Sequence, residues 1–210
     1  MKRIWLGGLA MLMALLMAAG VWLPGDVRDS TLELNLGDTM RLTLAAEDIP
    51  AVAANCTVSL HTHWVGLMTV GKINAITQQA VLTCPAGQPP DAAFSIRARI
   101  DEPARLILPD NDNTRQLLPD TPVTFTWAVA PGKVHVWEGT LWTELLIANG
   151  QGESVMAPLA SVHLNGRTTT LLGLGYIPAL AAAGVILAAG VAALVSGLLH
   201  SRKNLRHING

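Results

Sequence analysis

Charged side chains are scarce in this sequence, at 14% of 210 residues against 50% hydrophobic. An ordinary soluble domain carries about 25% charge, so the scarcity points away from one and toward the membrane. The deficit is concentrated in two places. Neither Ile4 to Leu23 nor Leu171 to Leu199 contains a single charge, and each run is long enough to cross roughly 30 Å of hydrocarbon as a helix. Acidic residues are absent from both ends of the chain, since all fifteen lie between Asp26 and Glu153. The nine Lys and Arg of the intervening segment are scattered, and acids outnumber them by six. A mildly acidic segment without a basic cluster argues against nucleic acid as a partner.

Catalytic signatures are missing as well. The segment between the apolar runs has no G-x-S-x-G elbow, no H-E-x-x-H and no S-x-x-K. Asn149 to Ser154 (NGQGES) is glycine-rich but lacks the lysine of a phosphate-binding loop, and it reads as a turn. There is no internal repeat, no low-complexity tract and no long linker. The tail after His200 has ten residues, too few for a signalling domain.

The basic residues that remain set a topology. Lys2 and Arg3 precede the first apolar run, and Arg202, Lys203 and Arg206 follow the second. By the bias of cytoplasmic loops toward Lys and Arg, both ends are expected in the cytoplasm of a bacterial inner membrane, and the middle outside. Ala18-Ala19-Gly20 resembles a signal-peptide cleavage site, but the apolar run continues through Val21, Trp22 and Leu23, which favours a retained anchor. The expected organisation is an anchor helix at 1–24, an exoplasmic domain at 25–170, a transmembrane helix at 171–200 and a basic cytoplasmic tail at 201–210. The junctions are short, so the domain is expected against the bilayer.

Between the membrane runs the rhythm is period two. Thr31 to Ala46 alternates around Gly37-Asp38 and suggests a hairpin with Leu32, Leu34 and Leu36 on one face. Further strands are expected in "CTVSLHTHWVGLMTV", "QAVLTC", "AFSIRARI", "RLILP", "VTFTWAVA", "VHVWEGTLWTELLIA" and "SVMAPLASVHL". Many short strands with Gly and Pro turns predict a β-sandwich, with an Ig-like architecture. A split near Pro89-Pro90 into two smaller β units is the less favoured arrangement, and helices are not expected in this segment, with Ala46 to Asn55, which lacks alternation, as the one exception allowed.

Four groups of residues carry chemistry. Cys56 and Cys84, in an oxidising exterior, are expected to form a disulfide. His61 and His63 share one face of a strand and can present two imidazoles to one ion, yet Cys56 and Met68 have the opposite parity. A metal site would need a further ligand such as His135, His163 or Met156. "PDNDNTRQLLPD" resembles a calcium loop in composition but not in spacing, and Asx turns fit it better. Trp127, Trp137 and Trp142 lie in a stretch expected to form a hairpin turning at Pro131-Gly132, and Trp127 is expected in the core. Trp137 and Trp142 are candidate partner contacts whose opposite parity turns one of them outward.

In the second membrane run, Gly184, Ala188, Ala192 and Ser196 recur every four residues. Small side chains at this spacing let a second helix approach closely. The sequence therefore predicts a non-catalytic accessory or scaffold subunit that engages membrane protein partners through this helix and through its exoplasmic domain. No cofactor is implied. The alternative is an exoplasmic metal-binding or redox domain built on His61 and His63.

Overall fold

The computed structural model describes residues 2–22, 25–41, 55–85, 93–101, 106–108, 113–132, 136–148 and 154–208. Ala46 to Ala54, Pro89-Pro90, Pro109 to Asp112, His135 and Asn149 to Glu153 lie outside them. The chain divides into two compact units. A β unit comprises Gly25–Met68 and Ile73–Thr168, and a helical unit comprises Met1–Pro24, Thr69–Lys72 and Thr169–Gly210.

In the β unit, β1 (Val27–Asn35) is followed by a short helix, α2 (Leu36–Arg41), and then by β2 (Thr57–Val65), β3 (Leu67–Thr69), β4 (Asn74–Thr83) and β5 (Ala93–Asp101). After these come β6 (Leu106–Leu108), β7 (Asn113–Leu117), β8 (Val123–Val129), β9 (Val136–Ala148) and β10 (Ser154–Thr169). The strands form two five-stranded sheets, in the order β1-β2-β4-β8-β6 and β3-β10-β9-β5-β7. Strict alternation explains why each sheet has one apolar face. In β2, Val58, Leu60, Thr62 and Trp64 are buried while His61 is exposed and His63 half-buried. The inner faces of both sheets contribute to a single core, in which Trp64, Phe94, Phe125, Trp127 and Trp137 are the large aromatic members.

In the expected hairpin over Thr31–Ala46, the turn residues Gly37 and Asp38 lie instead in α2, which follows β1, and residues 42–46 lie outside the described residues. Asn35 decides this locally, because its side-chain oxygen accepts from the Asp38 amide at 3.2 Å and so acts as an N-cap. Leu36 and Met40, one turn apart, are then both fully buried. β1 pairs with β2 instead, in a register that sets Asp29 opposite His63 and Thr31 opposite His61. A second expected hairpin, turning at Pro131-Gly132, is also absent. β8 belongs to one sheet and β9 to the other, so Trp127 and Trp137 enter the core from opposite walls. Within the stretch taken for Asx turns, Asn113–Leu117 is a strand paired with β5.

Gly66 is where the chain passes from the first sheet to the second, between β2 and β3. Its amide donates to the Asp26 carbonyl at 2.5 Å, and its carbonyl accepts from the Arg167 amide at 2.6 Å. A Cβ there would lie 2.5 Å from Arg28 Nε, so a larger residue would have to displace the Arg28 side chain. Arg28 in turn hydrogen-bonds the Asn165 side chain, and the Trp64 indole N–H donates to the Asn165 carbonyl at 3.1 Å. At the other end of the same strand pair, Cys56 and Cys84 are joined by a disulfide with a Cα–Cα separation of 4.3 Å, one step beyond the Thr57–Thr83 pair.

A buried polar link joins the two sheets across the core. Gln78 of β4 donates to Thr143 Oγ1 of β9 at 3.0 Å and accepts from the same hydroxyl at 3.1 Å, while Thr62 lies beside it at 3.4 Å. All three are buried. Gln78→Leu strands two buried hydroxyls, which predicts a loss of about 1–3 kcal/mol in urea unfolding followed by tryptophan fluorescence. Adding Thr143→Val should recover part of that loss. A double variant as damaged as the sum of the two single variants would refute the pairing.

The helical unit holds α1 (Lys2–Trp22) and α3 (Tyr176–Ile208), packed on each other in antiparallel fashion. α3 begins at Tyr176, five residues later than the apolar run, and continues through the basic tail to Ile208. Leu171 to Gly175 form a tight turn instead of a first helical turn. Leu172 in that turn has φ 52°, a left-handed conformation that disfavours a leucine by about 1–2 kcal/mol. Tyr176–Leu199 is long and apolar enough to cross a membrane.

Candidate functional site

The residues with chemistry fall on three separate surfaces. On the outer face of the first sheet, β1 and β2 bring Asp29, Thr31, His61 and His63 together as direct cross-strand neighbours. His63 Nδ1 lies 2.7 Å from Asp29 Oδ1, His61 Nε2 lies 3.7 Å from the same oxygen, and His61 Nδ1 lies 2.9 Å from Thr31 Oγ1. Each imidazole is therefore already engaged by β1. All three ionisable side chains are about half exposed, which keeps the interaction in water and weak.

The other donors considered for a metal point elsewhere. Cys56 is in the disulfide, Met68 is buried in the core on β3 of the second sheet, and His163 and Met156 are exposed on the second sheet. Among the described residues no group of three or more His, Cys, Asp or Glu side chains is arranged to hold a metal ion. His61→Ala with His63→Ala is expected to change unfolding stability by no more than about 1 kcal/mol. It should also leave the metal content of the purified protein unchanged. A fall in bound copper or zinc would overturn this reading of the cluster.

On the outer face of the second sheet, Trp142 is 37% exposed and Arg99 lies over its ring at 6.0 Å. Glu144 sits between two guanidinium groups, 3.8 Å from Arg97 and 4.0 Å from Arg99. Trp137 is 2% exposed and packs in the core, so as a candidate partner contact it is corrected. The alternation of β9 turns Trp137 inward and Trp142 outward. The Arg97–Arg99–Glu144 group was not foreseen from sequence, because it forms across strands β5 and β9, which are distant in the chain.

The third surface is on α3. Gly184, Ala188, Ala192 and Ser196 are all exposed, and with Leu187, Val191, Val195 and Leu199 they line a shallow apolar groove. The Ser196 hydroxyl donates to the Ala193 carbonyl at 2.9 Å and leaves no unsatisfied polar group in the groove. α1 packs on a different face, the one that carries Gly190. A Cβ at Gly190 would meet Met11 Cγ at 3.1 Å and the Gly7 carbonyl at 3.2 Å. A Cβ at Gly7 would meet Leu194 Cγ at 2.8 Å and the Gly190 carbonyl at 2.9 Å. Ala179, Ala183, Gly190 and Gly197 are the buried small residues of α3, the last three spaced by seven.

No family model and no curated protein matches this chain. Among solved structures, a cohesin module of a Clostridium perfringens family 33 glycoside hydrolase is similar at 9% identity, with a TM-score of 0.30, covering 53% of this chain and 96% of its own. A putative ApaA protein from Bordetella pertussis aligns at 17% identity and a TM-score of 0.26, over 67% and 94% of the two chains. The PmoD soluble domain from a Methylocystis species aligns at 9% identity and a TM-score of 0.21, over 68% and 90%. At these scores none of the likenesses carries an argument about this chain.

Proposed function

We propose that the chain is a non-catalytic accessory or scaffold subunit of a bacterial inner-membrane complex, anchored by α1 and α3, with its β unit on the exoplasmic side and both termini in the cytoplasm. The observation that carries the reading is the small-residue groove of α3. It is exposed, apolar and distinct from the face that α1 occupies, so α3 has a second surface at which another helix can approach closely. The half-exposed Trp142, braced by Arg99, is the contact proposed for the exoplasmic side. The bilayer is the remaining partner, and the acidic balance of the β unit disfavours nucleic acid. The β unit is read as an Ig-like sandwich by architecture alone, because its disulfide joins neighbouring strands of one sheet, whereas immunoglobulin domains bridge two.

The test is purification of the tagged full-length chain in nanodiscs, with mass spectrometry of what accompanies it. Stoichiometric membrane proteins should accompany the wild type and be lost from Gly184→Leu with Ala188→Leu, whose side chains fill the groove. A clean monomer from the wild type, or retention of the same partners by the variant, would defeat the proposal.

A further inference from the structure

The turn that leads into α3 is built for water in its geometry and for lipid in its side chains. Leu171 and Leu174 exchange both backbone hydrogen bonds, at 2.8 and 2.9 Å, so Leu172 and Gly173 alone form a two-residue loop. Both have positive φ, 52° and 80°, as a type I′ turn requires. Asn-Gly, Asp-Gly or Gly-Gly is the usual pair in such a turn, and a branched apolar residue has no local hydrogen bond to offset the left-handed conformation. Leu172 nevertheless occupies it with 74% of its surface exposed. Packing within the chain does not compensate this strain, and a strained position persists where its surroundings favour it.

Two further observations say what those surroundings are. No Asp, Glu, Lys or Arg occurs from Thr168 to Ser201, and Ile177, one residue into α3, is 70% exposed. The turn also does not rise beyond the helix pair. A Cβ at Gly20 would lie 3.1 Å from Leu171 Cδ1, so the turn lies alongside α1 at a residue three positions short of the end of its apolar run at Leu23. If α1 and α3 cross the bilayer, that level is within the edge of the hydrocarbon.

We infer that the Leu171–Leu174 turn is a bilayer wedge: Leu172, with Leu174 and Ile177 beside it, enters the upper acyl region of the outer leaflet and takes lipid chains as its ligand. The wedge fixes the depth at which α3 enters the membrane, as interfacial anchors do. The inference rests on the reading of α3 as a membrane-crossing helix, and its test separates the two.

Leu172→Cys and Val185→Cys, each in the full-length chain with the Cys56–Cys84 disulfide left oxidised, are labelled with an environment-sensitive fluorophore. Both are reconstituted into phospholipid vesicles that contain nitroxide-bearing lipids. Val185 is 70% exposed in the middle of the apolar helix and reports whether α3 is in the membrane at all. The label at 172 is expected to emit to the blue and to lose about half of its emission to a nitroxide near the top of the acyl chain, with much less quenching from the chain end, as the edge of a roughly 30 Å slab requires. Quenching at 185 without quenching at 172 overturns the wedge and leaves the membrane helix standing. Absence of quenching at both overturns both. A blue-shifted but unquenched label at 172 places that side chain against protein and also overturns the wedge.

Discussion

Replacing both cysteines, as Cys56→Ala with Cys84→Ala, should lower the unfolding free energy of the β unit by about 3–4 kcal/mol. The bond closes a loop with a sequence separation of 28, and loss of that constraint releases chain entropy in the unfolded state. Cys56 is also fully buried, and its carbonyl accepts the Leu36 amide at 2.9 Å, so the disulfide end of β2 holds the start of α2. With a urea slope of about 2 kcal/mol/M, the midpoint falls by roughly 1.5–2 M. Reduction of the wild type should reproduce the shift. A midpoint unmoved by reduction would mean that the strand ladder alone holds this end.

The strand content of the β unit was legible because it rests on period two, which burial enforces locally. His61 and His63 on one face and Cys56 and Trp64 on the other follow from parity alone. Pairing was not legible. The hairpins expected at Gly37-Asp38 and Pro131-Gly132 both have turn chemistry, but the capping side chain of Asn35 competes for the first, and the need to wall one core from two sides separates β8 from β9. The candidate site suffered from the same gap. Asp29 and Thr31 were in plain view, yet only the β1–β2 register brings them to the two histidines as hydrogen-bonding neighbours.

The helices show a related contrast between pattern and placement. Spacing by four drew attention to Gly184, Ala188, Ala192 and Ser196, and these proved to be the open face. The occupied face follows spacing by seven, which stays in register with a partner helix and drifts by only about 20° per repeat. That rhythm was hidden in a run where glycine and alanine are common at every phase.

Gly190→Leu and Gly184→Leu turn this contrast into a paired experiment on one helix. A Cβ at Gly184 meets nothing within 4 Å, whereas at Gly190 it meets Met11 and the Gly7 backbone at 3.1–3.2 Å. Neither backbone can yield cheaply, so leucine at 190 should separate α1 from α3 and destabilise the pair by about 1–3 kcal/mol. Leucine at 184 should leave it unchanged. The measurement is fluorescence transfer between labels on α1 and α3 during denaturant titration in mild detergent. An intact mass beginning at Met1 would confirm that α1 is retained in the protein measured. Equal stability of the two variants would mean that α1 is not seated on α3. A fall for Gly184→Leu alone would mean that the roles of the two faces are reversed. The expected separation, with stability lost only at 190 and partner binding lost only at 184, assigns one small-residue face to α1 and leaves the other for a partner helix.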